Sequence, residues 1–327
     1  MSLLHSSIEI LKAALKIILK NGKIMSCIAL FIILTQSTLF LSNIFSIKPL
    51  IVDIVIERNL LQNATANTPE FDKIIAQIKK DFEIFFGLEF VIIIFTLISS
   101  LLSSIATILV SAITYAGKQE ITLKDLLSRI VRIWKRPTIT WLYTSLLSLI
   151  FLFVYVGILI GIMQIIRTQM TKSPVVVLIL AMLTLFISIF GLIYLFRLSV
   201  TWTLAIVISV VEDIKGIKAI KKAEQISKGM KRQGALLISL MSILNLGFSL
   251  GMNMILGNSV AVQIIKSFVQ INFAALISMY SNAAFTVFYF RCKQSFGEKV
   301  EIFDGRFDGY SQIPTDLTAP IVDDNIP

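Results

Sequence analysis

Ser242, Asn245, Ser249 and Asn253 recur at intervals of three, four and four residues within an otherwise apolar run, which places all four on one face of a helix. Two kinds of chemistry suit such a face: hydrogen bonding to a partner helix, or a path along which a neutral or amphiphilic solute moves. Ser100, Ser104, Thr107 and Ser111 form a comparable stripe in an earlier run, and Asn272, Ser278, Ser281 and Asn282 form a third in the last one. Polar stripes avoid lipid, so the three are expected to meet inside a bundle. Gly157-x-x-x-Gly161 and Gly247-x-x-x-Gly251 favour the packing reading, because small residues let helix backbones approach closely.

Acid-base and metal chemistry find little support. The sole histidine, His5, stands near the chain start, and neither C-x-x-C, H-E-x-x-H nor G-x-x-x-x-G-K-[ST] occurs. Within the apolar runs only Glu89 is acidic, at the edge of the second, where water still reaches. No catalytic residue, metal ligand or cofactor is expected. Two residues are candidates for modification: Asn63, in the only N-x-[ST] triplet, for glycosylation, and Cys292, between Arg291 and Lys293, for palmitoylation.

The elements that must position these residues follow from composition. Of 327 residues 56% are hydrophobic and 15% charged, against about 45–50% and about 25% in a soluble domain. Apolar runs long enough to cross a bilayer cover about 24–45, 88–115, 140–166, 175–195, 235–256 and 267–290. The expected fold is an all-α, polytopic membrane bundle of six transmembrane helices, organised as a basic segment 1–23, a membrane domain 24–296 and a tail 297–327. Apolar character continues past Arg197 to Val211, more than one crossing needs, and is read as a single crossing followed by an interfacial or kinked extension. Residues 46–87 are expected as a loop between the first two spans.

Positive charge settles an expected orientation. Twenty-one of the 30 Lys and Arg fall in the N-terminal segment, the second and fourth loops and the tail, which assigns those parts and both termini to the cytosol of an endomembrane or the plasma membrane. Three of these regions read as amphipathic helices: Ile8, Leu11, Leu15, Ile18 and Leu19 set against Lys12, Lys16, Lys20 and Lys23; Leu123 to Ile133, opened by Thr122 and Asp125 and closed by Pro137; and Ile214 to Ile226. Each precedes a pair of spans and is expected to lie flat on the membrane. Anionic lipid headgroups are the expected partners, through Lys215, Lys218, Lys221, Lys222 and Arg197. Other membrane proteins or a second copy would meet the small-residue faces. Nucleic acid is not expected, because the charges are dispersed along membrane borders without aromatic interleaving.

The tail carries Lys299 and Arg306 against seven acids and reads as disordered. Through Trp202-x-x-Ala205, Val211-Glu212-Asp213-x-x-Gly216-x-x-Ala219-Ile220-Lys221-Lys222-Ala223, Ile226 and Lys228-Gly229, with Phe288-Tyr289-Phe290-Arg291-Cys292-Lys293 at the end, the chain resembles a plant family of uncharacterised multi-pass membrane proteins, some labelled polyadenylate-binding-protein-binding proteins. The acid-x-x-x-Gly-x-x-Ala core is also similar to bacterial membrane domains fused to glycerophosphodiester phosphodiesterases. The resemblance implies a multi-pass topology. It implies no activity and no catalytic residues, since the phosphodiesterase domain has no counterpart here. The function expected is membrane organisation or assembly with partners and lipids, with transport of a neutral or lipid-like solute as the alternative.

Overall fold

The computed structural model describes residues 3–63, 68–117, 122–169, 174–255, 257 and 259–297, and the backbone of 301–304 and 309–312. Ten α-helices follow one another: α1 (Leu3–Lys20), α2 (Gly22–Ser42), α3 (Lys48–Asn63), α4 (Pro69–Tyr115), α5 (Leu123–Ile133), α6 (Lys135–Gln169), α7 (Pro174–Val211), α8 (Ile217–Ile226), α9 (Lys231–Ile255) and α10 (Val260–Ser295). A π-helical turn, Asn43–Ile47, joins α2 to α3. Six helical stretches are long and apolar enough to cross a membrane, in agreement with the sequence count. The fold is an all-α, six-span membrane bundle.

The local chemistry explains the breaks. Thr122 caps α5 by accepting the Asp125 amide at 3.2 Å, as its position suggests. The break after α5 falls at Trp134, so Pro137 sits in the first turn of α6, where its missing N–H costs nothing, and does not form the break. Asn21 separates α1 from α2 and its side-chain amide donates to Thr114 Oγ1.

Three expectations about the elements are corrected. Among the described residues, 46–87 are helical rather than a loop: the end of the π-helical turn and α3 occupy 46–63, and the start of α4 occupies 69–87. Their charges make them too polar to span, but their apolar positions still recur at helical spacing. Residues 198–211, expected as an extension distinct from the crossing, continue it as the end of the uninterrupted α7. In the tail, 301–304 and 309–312 pair as an antiparallel hairpin, β1 (Glu301–Asp304) and β2 (Gly309–Gln312); the rest of the tail expected as disordered lies outside the described residues beyond Gly297.

The chain forms two compact units. The first comprises Met1–Met25, Ile105–Leu244 and Tyr280–Pro327 and holds most of the buried core. The core is built from the ends of three long helices, Ile105 to Ala116, Val200 to Val211 and Ala283 to Phe290, with Tyr115 stacked on Phe290 at 4.5 Å between ring centroids. This explains the excess length of α7: its first part is lipid-facing, with Leu178, Met182, Phe186 and Phe190 exposed, and its last dozen residues serve a protein interior. The second unit comprises Ser26–Ser104 and Asn245–Met279. There α2 and α10 pack antiparallel, with Ser37 donating to Asn272 Oδ1 at 3.4 Å and Phe40 meeting Phe268 edge to face.

The basic helices of the first unit share one cross-section. On α1, Ser7, Ile10, Ala14 and Ile17 are buried against the protein; Leu4, Ile8, Leu15 and Leu19 make a second, exposed apolar stripe; Lys12, Lys16 and Lys20 make a third, basic sector. On α5 the same order is Leu126, Ile130 and Ile133 buried, Leu123, Leu127, Val131 and Trp134 exposed, then Lys124 and Arg132. On α8 it is Ala219, Ala223 and Ile226, then Ile217 with half-buried Ile220, then Lys218 and Lys221. Each helix thus carries two apolar faces rather than the single one expected: one belongs to the core and the other is left exposed beside the basic sector.

Candidate functional site

Four polar side chains converge at the corner between α7 and α8, where the chain must leave a buried helix end and turn. Glu212 follows the last residue of α7 and its side chain is 7% exposed. A bare carboxylate there would lose its hydration, and three donors replace it. Lys222, from α8, reaches one carboxylate oxygen at 2.8 Å; Lys293, from α10, reaches the other at 2.9 Å; the Tyr289 hydroxyl donates to that second oxygen too. Tyr289 and Lys293 are one helical turn apart, so α10 presents both on one face. Burial pushes the Glu212 carboxyl up, but the donors on it outweigh burial and hold it below the usual carboxylate range.

The rest of the corner is fixed by the neighbouring residues. Asp213 pairs with Arg136 of α6 at 2.8 Å. Gly216 has φ of 62° and ψ of −136°, a combination open essentially to glycine alone, and its N–H donates to Thr140 Oγ1 at 2.9 Å in a fully buried bond. Ala219 and Ala223 are wholly buried, where a larger side chain would hold α8 away. Glu212, Gly216 and Ala219, the named positions of the acid-x-x-x-Gly-x-x-Ala string, therefore each have a mechanical duty. Replacing Tyr289 by Phe removes one donor from a buried carboxylate while keeping the ring, and is expected to cost about 1–2 kcal/mol of stability, read by denaturant titration in detergent.

A second set of polar contacts ties α1 into the same unit. Arg291 reaches Glu9 at 3.3 Å, Gln233 donates to Ser6, and the Tyr280 hydroxyl donates to the Leu11 carbonyl at 2.8 Å. Among the described residues no group of three or more His, Cys, Asp or Glu is placed to hold a metal ion.

The residues singled out from sequence are distributed unevenly. Lys215, Lys218 and Lys221 are exposed, as a headgroup contact requires, but Lys222 turns inward to Glu212 and is corrected from a lipid contact to a structural ion pair. Arg197 is exposed on α7, 14 residues before its end. Of the stripe on α9, Ser242 and Asn253 are exposed and Asn245 and Ser249 half-buried, so the four are not gathered in one interior. Ser249 accepts from Gln270 at 2.8 Å, and Asn272 bonds Ser37 and the Phe268 carbonyl. Asn282 is half-buried in the first unit and its carbonyl accepts from Thr286. Asn63 is exposed at the end of α3, while Ala64 and Thr65 lie outside the described residues. Cys292 is wholly buried, a placement unsuited to palmitoylation, since an acyl transferase needs the thiol at the surface. Gly247-Phe248-Ser249-Leu250-Gly251 has the letters of a serine-hydrolase elbow, but it lies inside α9, without the strand-to-helix turn that exposes such a serine. Glu212, Tyr289 and Lys293 are the residues that the polar-stripe reading passed over.

Six spans, a core at the helix ends and a buried charge cluster define a polytopic α-helical membrane protein. The family model described as a domain of unknown function, DUF8558, matches residues 3–310, and the chain belongs to that family. No curated protein and no solved structure matches the chain.

Proposed function

We propose that this is a non-catalytic membrane protein that gathers anionic lipids, and partners held in the same leaflet, around its basic side, and that this side and both termini face the cytosol of an endomembrane or the plasma membrane. The observation that carries the reading is the cross-section common to α1, α5 and α8: buried apolar face, exposed apolar stripe, basic sector. An exposed apolar stripe flanked by lysines suits the boundary between acyl chains and headgroups, the stripe entering the first and the ammonium groups reaching the second. The core fixes each helix in rotation, so the stripe and the charges are presented together. The excess of Lys and Arg on these segments supports the cytosolic assignment. Lys222, Lys293 and Tyr289 all donate to the Glu212 carboxylate, which supports a mechanical rather than a chemical duty for this cluster.

The test is lipid enrichment around the reconstituted chain, read by energy transfer from its tryptophans to a small fraction of labelled phosphatidylserine in phosphatidylcholine. Changing Lys215, Lys218 and Lys221 together to Gln, with Lys222 left in place, is expected to reduce the enrichment at least tenfold at low salt, about a hundredfold being the unscreened ceiling for three lysines at around 1 kcal/mol each. Unchanged enrichment would sink the reading. Transport of a neutral or lipid-like solute draws on the α9 stripe and receives less support, because two of its four members are exposed.

A further inference from the structure

In the second unit, α2, the π-helical turn and the start of α3 run beside the N-terminal half of α10 and leave a groove of about 520 Å³ between them. That volume falls within the range of about 300–1,000 Å³ typical of ligand sites. Along its length the two walls keep a fixed antiparallel register, set by Ser37 with Asn272 and by Phe40 with Phe268. Leu39, Phe40, Ile44, Val260, Ile264 and Ile271 form the apolar part of the lining, and Gln36, Asn43, Gln263 and Ser267 add uncharged polar groups to it. Lys48 stands at one end, exposed, beside the N-terminus of α10, and no carboxylate lines the groove. From Gln36 to Lys48 is twelve residues, about 18 Å of helix, close to the half-thickness of a hydrocarbon core of about 30 Å.

We propose that this groove binds one acyl chain of an anionic phospholipid, with the phosphate at Lys48 and the first turn of α10 and the chain running along Phe40 and Ile264 toward Ile271. The length and the apolar strip of Leu39, Phe40, Ile44, Ile264 and Ile271 match a single leaflet's chain, and Lys48 at the end, supported by the positive pole of a long helix, matches a phosphate. The π-helical turn coincides with the groove wall at Asn43 and Ile44, where the extra residue it inserts widens the helical path. The lipid belongs to a site built from α2, α3 and α10, separate from the lysines of α8.

The test uses the full chain purified in mild detergent and native mass spectrometry with phosphatidylglycerol, phosphatidylcholine or palmitate added in turn. One phosphatidylglycerol retained per chain, at least fivefold in preference to phosphatidylcholine, is expected, with loss of the bound lipid in Ile264→Trp, which fills the groove, and loss of the preference in Lys48→Gln, an exposed change that leaves the packing intact. Equal retention of both phospholipids, insensitivity to Lys48→Gln, or retention of palmitate alone would each overturn the proposal. Because none of the altered residues lies on α1, α5 or α8, the result is independent of the enrichment measured above.

Discussion

Replacing Glu212 by Gln is expected to destabilise the protein by about 3–5 kcal/mol, the cost of removing one partner from a buried ion pair. The neutral amide keeps the shape but leaves Lys293, 5% exposed, and Lys222, 23% exposed, with no counter-charge at 2.9 and 2.8 Å. Part of the loss will be softened at Lys222, which water still reaches. The measurement is unfolding in mixed micelles of increasing denaturing detergent, compared with wild type. The same experiment against pH carries a sign. A carboxyl held below its usual range in the folded state binds its proton more readily when unfolded, so its stabilisation is fully present above the ordinary carboxylate pKa and is lost as pH falls through the depressed one. Wild type should therefore weaken below about pH 4.3, and Glu212→Gln should lack that component. A flat difference between the two proteins across the acid range would refute the assignment of Glu212 as the ionised centre.

Replacing Gly216 by Val is expected to cost about 3 kcal/mol, from a backbone conformation that non-glycine residues adopt only at about 1–3 kcal/mol and from crowding. A Cβ at this position would stand 3.2 Å from Tyr143 and 3.6 Å from Ile139, leaving no room for two further methyl groups. Relief by rotating the peptide would break the buried bond from the Gly216 N–H to Thr140. Thr140→Val separates the two causes: it removes only the acceptor, strands a buried N–H, and should cost about 1–3 kcal/mol. If Gly216→Val matched wild type in the same micellar unfolding assay, the corner would not be rigid, and α8 would not be held in the rotation that presents its lysines.

Spans and basic helices were legible in the sequence because both announce themselves by the spacing of apolar and charged residues along a continuous stretch. What the apolar residues face was not legible, because a lipid-facing leucine and a core leucine look alike. Leu127 and Ile130 on α5, three residues apart, end in opposite settings, one 55% and the other 6% exposed. The same ambiguity hid the purpose of 198–211, whose apolar character belongs to a protein core. Glu212 was visible as a letter but its partners Tyr289 and Lys293 come 77 and 81 residues later, a distance that no local pattern bridges. Lys222 did leave a local signal: it adjoins Ala223 and lies one helical turn from Ala219, beside the small-residue face of α8 and away from Lys221. The α9 stripe misled because uncharged polar side chains bond their own helix at little cost, as Ser239 does to the Ala235 carbonyl, and so need no interior.

The buried carboxylate at residue 212 also sets an order of assembly during synthesis. When the ribosome has delivered α7 and α8, Glu212 can meet Lys222 but two of its donors have not yet been made. An acid short of two donors retains water in their place, so the corner cannot close before α10 has been inserted. Closure of the corner thus requires α10, and without that helix the acid keeps only one of its three donors.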